Sequence, residues 1–105
     1  MAWMYIVRCN DGSFYTGSTK IDPDQRVWEH NHDDAVAANY TRKRRPVTLV
    51  LCEEYSDIRD AFEREKQVQG WSRAKKQAII DGMYENLPAL SKSGKPPRAS
   101  TGSAS

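Results

Sequence analysis

No run of apolar residues in this sequence is long enough to span a bilayer, and the basic-then-apolar opening of a secretory signal is missing. A cytoplasmic location without membrane attachment is therefore expected. Cysteine is scarce, with only Cys9 and Cys52. Both sit in strand-like apolar stretches, which predicts buried free thiols rather than a bridge. Neither a CxxC nor an HxxxH spacing occurs among Cys9, Cys52, His30 and His32, so the ligand pattern of a structural zinc site is absent. A phosphate-cradling glycine loop, a Gly-x-Ser-x-Gly elbow and an HExxH helix are absent too. An excess of one charge is also lacking: the formal net charge is +2, so any partner must be argued from where the charges fall.

What is present is a globular balance of apolar and charged residues in a chain of 105, which allows one small domain with a modest core. Trp3 to Cys9 is rich in aromatic and β-branched residues, and Asn10-Asp11-Gly12 supplies the positive-φ positions of a tight reversal. This predicts a hairpin whose second strand runs from Ser13 to about Gly17. Asp22 ahead of Pro23, with Gln25 three residues after the cap, predicts a helix from Pro23 to about Asn31 or His32. Residues 33–46 read as irregular, with one helical turn at Ala35 to Ala38 and a stop at Pro46. A third strand follows at Val47 to Tyr55. Two helices come next, one capped by Ser56 or Asp57 and stopped by Gly70, the other capped by Ser72 and stopped by Gly82. The predicted fold is α+β, a small three-stranded antiparallel sheet flanked by helices in the order ββαβαα, over residues 1–90. From Ser91 on there is no large apolar side chain, which predicts a disordered basic tail over residues 91–105.

Arg42, Lys43, Arg44 and Arg45 form one basic block and Arg73, Lys75 and Lys76 another, away from Glu53, Glu54, Asp57 and Asp60. Each block is either a solvated face or a nucleic-acid contact. Arg26 and His30 share one face of their helix, beside the end of the tyrosine-bearing strands, as a surface pair or as part of a site. Glu65 lies on a helical face with Ala61, Phe62 and Val68 and so interrupts an apolar stripe. A carboxylate drawn toward a core costs on the order of several kcal/mol unless it is paired, for example with Arg26, or binds a metal ion. Glu53, Glu54 and Glu63 carry no such anomaly and are expected to be solvated. Tyr5 and Tyr15 meet across the hairpin, as sheet packing or as chemistry. Gly17 reads as a strand terminator or a bulge.

Assembled, these pieces resemble the GIY-YIG nuclease superfamily, especially its small single-domain bacterial members. Trp3-Met4-Tyr5 stands where the family has Gly-Ile-Tyr, keeping the tyrosine, and Tyr15-Thr16-Gly17 stands for the second half-motif. "RVWEHN" is similar to the family's helix with an arginine and, four residues later, a histidine. "FEREKQVQGWSRAKK" resembles the stretch around its metal-binding glutamate and the Trp-Ser-Arg-x-Lys-Lys pattern that follows. "YTRKRRPVTLV" resembles the basic loop leading into the third strand. The likeness covers residues 1 to 90.

The resemblance implies hydrolysis of phosphodiester bonds in DNA, branched or single-stranded forms included, with structure-selective or weak sequence preference. It also implies one divalent metal, Mg²⁺ or Mn²⁺, on Glu65. Tyr5 or Tyr15, helped by His30, would orient and deprotonate water, and Arg26 would meet the transition-state charge. Gly17 would turn the backbone beside the two phenols. Arg42, Lys43, Arg44, Arg45, Arg73, Lys75 and Lys76 would grip the flanking backbone. A phenol with an ordinary pKa of ~10 is a poor base at neutral pH, so a metal or cation has to lower it. The alternative is a non-catalytic nucleic-acid-binding or protein-interaction module on the same fold.

Overall fold

The structure, a computed structural model, describes residues 1–82. The domain boundary expected at residue 90 and the basic tail expected over residues 91–105 lie outside the described residues. The elements run β1 (Ala2–Arg8), β2 (Phe14–Thr19), α1 (Pro23–His32), α2 (Asn39–Arg42), β3 (Thr48–Tyr55), α3 (Ile58–Gln69) and α4 (Arg73–Ile80). The three strands form one antiparallel sheet in the order β2-β1-β3, which gives the predicted α+β architecture.

Local chemistry places each boundary. The hairpin closes with Cys9 N–H donating to Ser13 O and Gly12 N–H donating to Cys9 O, while Gly12 adopts the positive φ, 85°, that a side chain would resist. Helix α1 starts where Asp22 Oδ1 accepts the Asp24 N–H at 2.8 Å and Pro23 fills the first helical position. Asp57 caps α3 through the Arg59 N–H, and Ser72 caps α4 through the Lys75 N–H. The helical turn expected at Ala35 to Ala38 forms instead at Asn39–Arg42. Asp33 O accepts from the amides of Val36 and Ala37 and closes a turn there, and the chain becomes extended at Ala38 before α2 begins.

Strand β1 is the buried centre, and its alternation sorts the core into two faces. Met4 and Ile6 pack with Val68 of α3 and Ile79 of α4. Tyr5, Val7 and Cys9 pack with Val47, against Val27 of α1. Each such aliphatic side chain contributes roughly 1.5–3 kcal/mol by leaving water.

Two burial expectations fail. Cys9 is a buried free thiol, but Cys52 is exposed on the edge strand β3. Glu53, expected in solvent, is fully buried at 0% exposure. Strand alternation places it on the core face between Leu51 and Tyr55, where Arg64 Nε reaches Oε1 at 3.0 Å and the Tyr55 hydroxyl donates to the same oxygen at 2.9 Å. Pairing is what makes that burial tolerable. No helix among the described residues is long and apolar enough to cross a membrane.

Candidate active site

The site begins with a missing side chain. Strand register sets Tyr5 opposite Gly17, in the middle of a β2 that continues to Thr19. A Cβ at Gly17 would lie 2.6 Å from the Tyr5 hydroxyl oxygen and 2.7 Å from Cζ, so the phenol occupies the space that any other residue would fill. The expectation that the strand ends at Gly17 and turns the backbone is thus corrected. Gly17 is not among the glycines with positive φ, and what it supplies is room for a ring.

Around Tyr5 the aromatic rings of three elements close up. Tyr15 lies 6.5 Å away and His30 5.9 Å away, centroid to centroid, and Tyr15 meets the His30 ring edge-on at 5.5 Å. Tyr40 stacks on Tyr15 at 5.9 Å, and the Arg44 guanidinium covers the Tyr40 ring at 3.8 Å. The Tyr5 hydroxyl is 2.8 Å from His30 Nε2, and His30 Nδ1 is 2.7 Å from Thr41 Oγ1. Thr41 in turn donates to Ala38 O at 3.0 Å, and Arg45 Nε donates to the His30 carbonyl at 2.7 Å. Tyr5, His30 and Thr41 are each at most 1% exposed, whereas Tyr15 is only half-buried.

Arg26 stands one helical turn before His30 on α1. Its Nη1 bonds Glu29 Oε1 at 2.9 Å and Val36 O at 3.0 Å. The alternative in which Glu65 is paired with Arg26 is not the one found among the described residues, where Arg26 pairs with Glu29 on its own helix. Glu65 is held by uncharged donors, Ser18 Oγ at 2.7 Å on Oε1 and Gln69 Nε2 at 2.8 Å on Oε2. Ser18 pairs with Met4 and shares its face of the sheet, so Glu65 approaches the phenols from the α3 side, along the edge strand β2. Of the stripe from which Glu65 was read, Ala61 and Val68 are buried and Phe62 is exposed.

The electrostatics tie these groups together. Burial raises the Tyr5 phenol above its ordinary value, with Tyr15 adding and Arg26 opposing. Burial also raises Tyr15, the Glu65 carboxylate adds to the effect, and Arg26 again opposes it. Glu65 acts in the same sense on Tyr5, so one acid and one guanidinium bear on both phenols. His30 is pushed down to about 4 by burial and then by Arg26, so it is neutral at pH 7. Arg26 is the cation that lowers the phenols, and in the protein alone burial outweighs it.

For a metal, the donor set decides. Among the described residues no three His, Cys, Asp or Glu side chains gather into a cage. Magnesium does not require one, since it keeps several waters and binds through one or two carboxylates together with substrate phosphates. A half-buried Glu65, with both oxygens fixed by hydrogen bonds and lone pairs to spare, is a donor of that kind.

The basic residues divide. Arg44 Nε pairs with Asp11 at 3.0 Å, and Arg73 Nη1 donates to Gly12 O at 2.6 Å, so both blocks fasten to the tip of one hairpin. Arg42 bonds Asn39 and the Asp34 carbonyl, while Arg45 pairs with Asp34 at 2.8 Å and braces α1. Lys43 is exposed, Lys75 and Lys76 are half-buried, and burial lowers the Lys76 ammonium below its ordinary value.

Thr41, Tyr40 and Glu29 belong to the constellation and were not singled out from the sequence. Glu29 is three residues after Arg26, a spacing that pairs charges on a helix. A threonine and a tyrosine ahead of a basic run carry no comparable signal.

The family model of the GIY-YIG catalytic domain matches residues 1–78. A UPF0213 protein of Halobacterium salinarum is 43% identical over 80 residues, 76% of this chain and 100% of that protein. One from Staphylococcus epidermidis is 44% identical over 78 residues, 74% of this chain and 92% of its own. The solution NMR structure of a UPF0213 protein from Bacillus halodurans, 38% identical, covers 87% of this chain and 98% of its own, with a TM-score of 0.48. The chain belongs to the GIY-YIG family, and its three-stranded sheet and helices form a nuclease-like domain.

Proposed function

We propose that this domain hydrolyses phosphodiester bonds in DNA, with structure-selective or weak sequence preference, using Mg²⁺ or Mn²⁺ held by Glu65. One observation carries the reading: two phenols and a neutral imidazole pack together on one face, under the opposed fields of Arg26 and Glu65.

When bound at Glu65, the divalent ion supplies Lewis-acid charge to the scissile phosphate and its leaving oxygen. The protein groups divide the remaining work. Tyr15, the more open phenol, orients the attacking water from beside the Tyr5–His30 pair. Water oxygen bonds to phosphorus while the bond to the leaving oxygen breaks. The water's proton passes into the Tyr5–His30 pair, and the leaving oxygen takes a proton from solvent. With burial holding the Tyr5 phenol above its ordinary value and His30 pushed down to about 4, the resting pair is the neutral phenol and imidazole rather than tyrosinate and imidazolium. Proton transfer is therefore concerted with attack rather than completed beforehand. Arg26 meets the charge that grows on the phosphoryl oxygens. Lys43, with Arg42, Arg44, Arg45, Arg73, Lys75 and Lys76, attracts the flanking phosphates without choosing sequence.

The test is cleavage of supercoiled plasmid and of branched and single-stranded DNA with Mg²⁺, comparing wild type with Glu65→Ala, Arg26→Ala and Tyr5→Phe. Wild-type cleavage that falls by about 100-fold or more in each variant is expected. Equal cutting by all four proteins, or DNA retention without cutting, removes the reading. The second outcome points to the non-catalytic binding module.

A further inference from the structure

We propose that Thr41 is a positioning residue that fixes the tautomer of His30 and, through it, the direction in which the Tyr5 hydroxyl offers its proton. Tyr5, His30 and Thr41 form a buried chain, ending on Ala38 O, in which each proton has one place. Ala38 O can only accept, and it also takes the Arg42 N–H at 2.9 Å. Sending the Thr41 hydroxyl proton to it at 3.0 Å leaves every group of the chain partnered, whereas turning that proton to His30 would put a proton on Nε2 and strip the Tyr5 hydroxyl of its acceptor. Toward His30, Thr41 Oγ1 has lone pairs alone, and at 2.7 Å it requires a proton on Nδ1. A neutral imidazole carries one N–H, so Nε2 is bare. The Tyr5 hydroxyl, 2.8 Å away, must then donate to Nε2, and its lone pairs face away from His30. The order is Tyr5 O–H to His30 Nε2, His30 Nδ1–H to Thr41 Oγ1, Thr41 O–H to Ala38 O.

The arrangement is built rather than incidental. Thr41 is 0% exposed on a four-residue helix that has no side-chain cap of its own, and the hydroxyl that reaches His30 also closes that helix onto Ala38. From the same turn, Tyr40 is laid on the Tyr15 ring. Burial and Arg26 keep His30 neutral, the condition under which a tautomer exists to be chosen. The catalytic consequence rests on the hydrolytic reading above, since a bare Nε2 can receive the Tyr5 proton and a protonated one cannot. The tautomer itself does not depend on that reading.

The experiment is a two-bond ¹H–¹⁵N correlation spectrum of uniformly ¹⁵N-labelled protein at pH 7, with His32→Gln to assign the two histidines. For His30 the proton is expected on Nδ1 in the wild type, with a detectable share moving to Nε2 in Thr41→Val. Thr41→Ser, which keeps the hydroxyl, is expected to restore the wild-type pattern. In the same samples Thr41→Val lowers the rate of DNA cleavage about 10-fold or more at unchanged DNA affinity, and Thr41→Ser recovers it. An Nε2-protonated His30 in the wild type overturns the inference, as does a Thr41→Val spectrum that keeps the Nδ1 proton. If Thr41→Val does not fold, the wild-type and Thr41→Ser spectra decide, because both must show Nδ1–H. If no protein cuts DNA but the tautomer responds as described, the positioning role stands and the hydrolytic reading falls.

Discussion

On the α3–α4 face of the sheet, Met4, Ile6, Val68 and Ile79 close around one buried ion pair, Glu53 with Arg64. On the α1–α2 face, Tyr5, His30 and Thr41 are buried as deeply, yet none of them carries a charge at neutral pH. The first face hides charge by matching it, and the second hides polarity by threading hydrogen bonds. A matched pair has one low-energy state and serves as a fixed strut. A thread of neutral donors and acceptors can move a proton without moving an atom far, and that is the face on which chemistry is proposed.

This contrast can be broken from either side. The largest effect is expected from Arg64→Ala, which leaves the Glu53 carboxylate buried without its cation and costs about 3–5 kcal/mol. Denaturant unfolding measures it, and a loss below about 1 kcal/mol would mean that the pair is not the strut described.

On the other face the lever is pH. The His30 pKa falls from 6.5 to about 4 on folding, so its neutral form is the one the fold favours. The associated stability is fully present above pH ~6.5 and is lost as pH falls through about 4, roughly 3 kcal/mol in all. Arg26 and Arg45 oppose the charged ring and Glu29 favours it. Unfolding midpoints of wild type and His30→Gln between pH 7 and 4 should converge as acid removes the advantage of the wild type.

Gly17→Ala comes next. The added methyl must displace the Tyr5 hydroxyl, at a cost of about 1–3 kcal/mol, and His30 Nε2 loses its donor. A melting curve and the Nε2 chemical shift would show the two effects together. The smallest change is a gain: Thr16 Oγ1 is buried with no hydrogen-bond partner among the described residues, so Thr16→Val should stabilise by about 1 kcal/mol. A lower melting temperature would reveal a partner for that hydroxyl.

Much of the fold was legible because its signals are local. Asp22 before Pro23, Ser72 before Arg73 and the reversal at Asn10 to Gly12 each act within a few residues, and the structure uses all three. The two tyrosines could be read as sheet packing and Arg26 with His30 as a surface pair, and it was the resemblance to the GIY-YIG family that joined the four as a group. Glu53 was missed although Leu51 and Tyr55, two residues to either side, put it on the core face; its partner Arg64 sits on another element. Gly17 was misread because its reason is a ring on the neighbouring strand, and no local rule reports that. Thr41 was invisible for a related cause: a hydroxyl gains its meaning only from the imidazole that folding delivers to it.

The two basic blocks, some thirty residues apart in the chain, are both tied to one end of the β1–β2 hairpin, Arg44 through Asp11 and Arg73 through Gly12 O and the Phe14 ring. Long cationic side chains ordinarily surrender rotamer freedom when an anion immobilises them, about 0.5–1.5 kcal/mol for each. At the hairpin tip the intramolecular contacts already hold both side chains, so under the proposed function a phosphate there would meet part of that cost prepaid by folding.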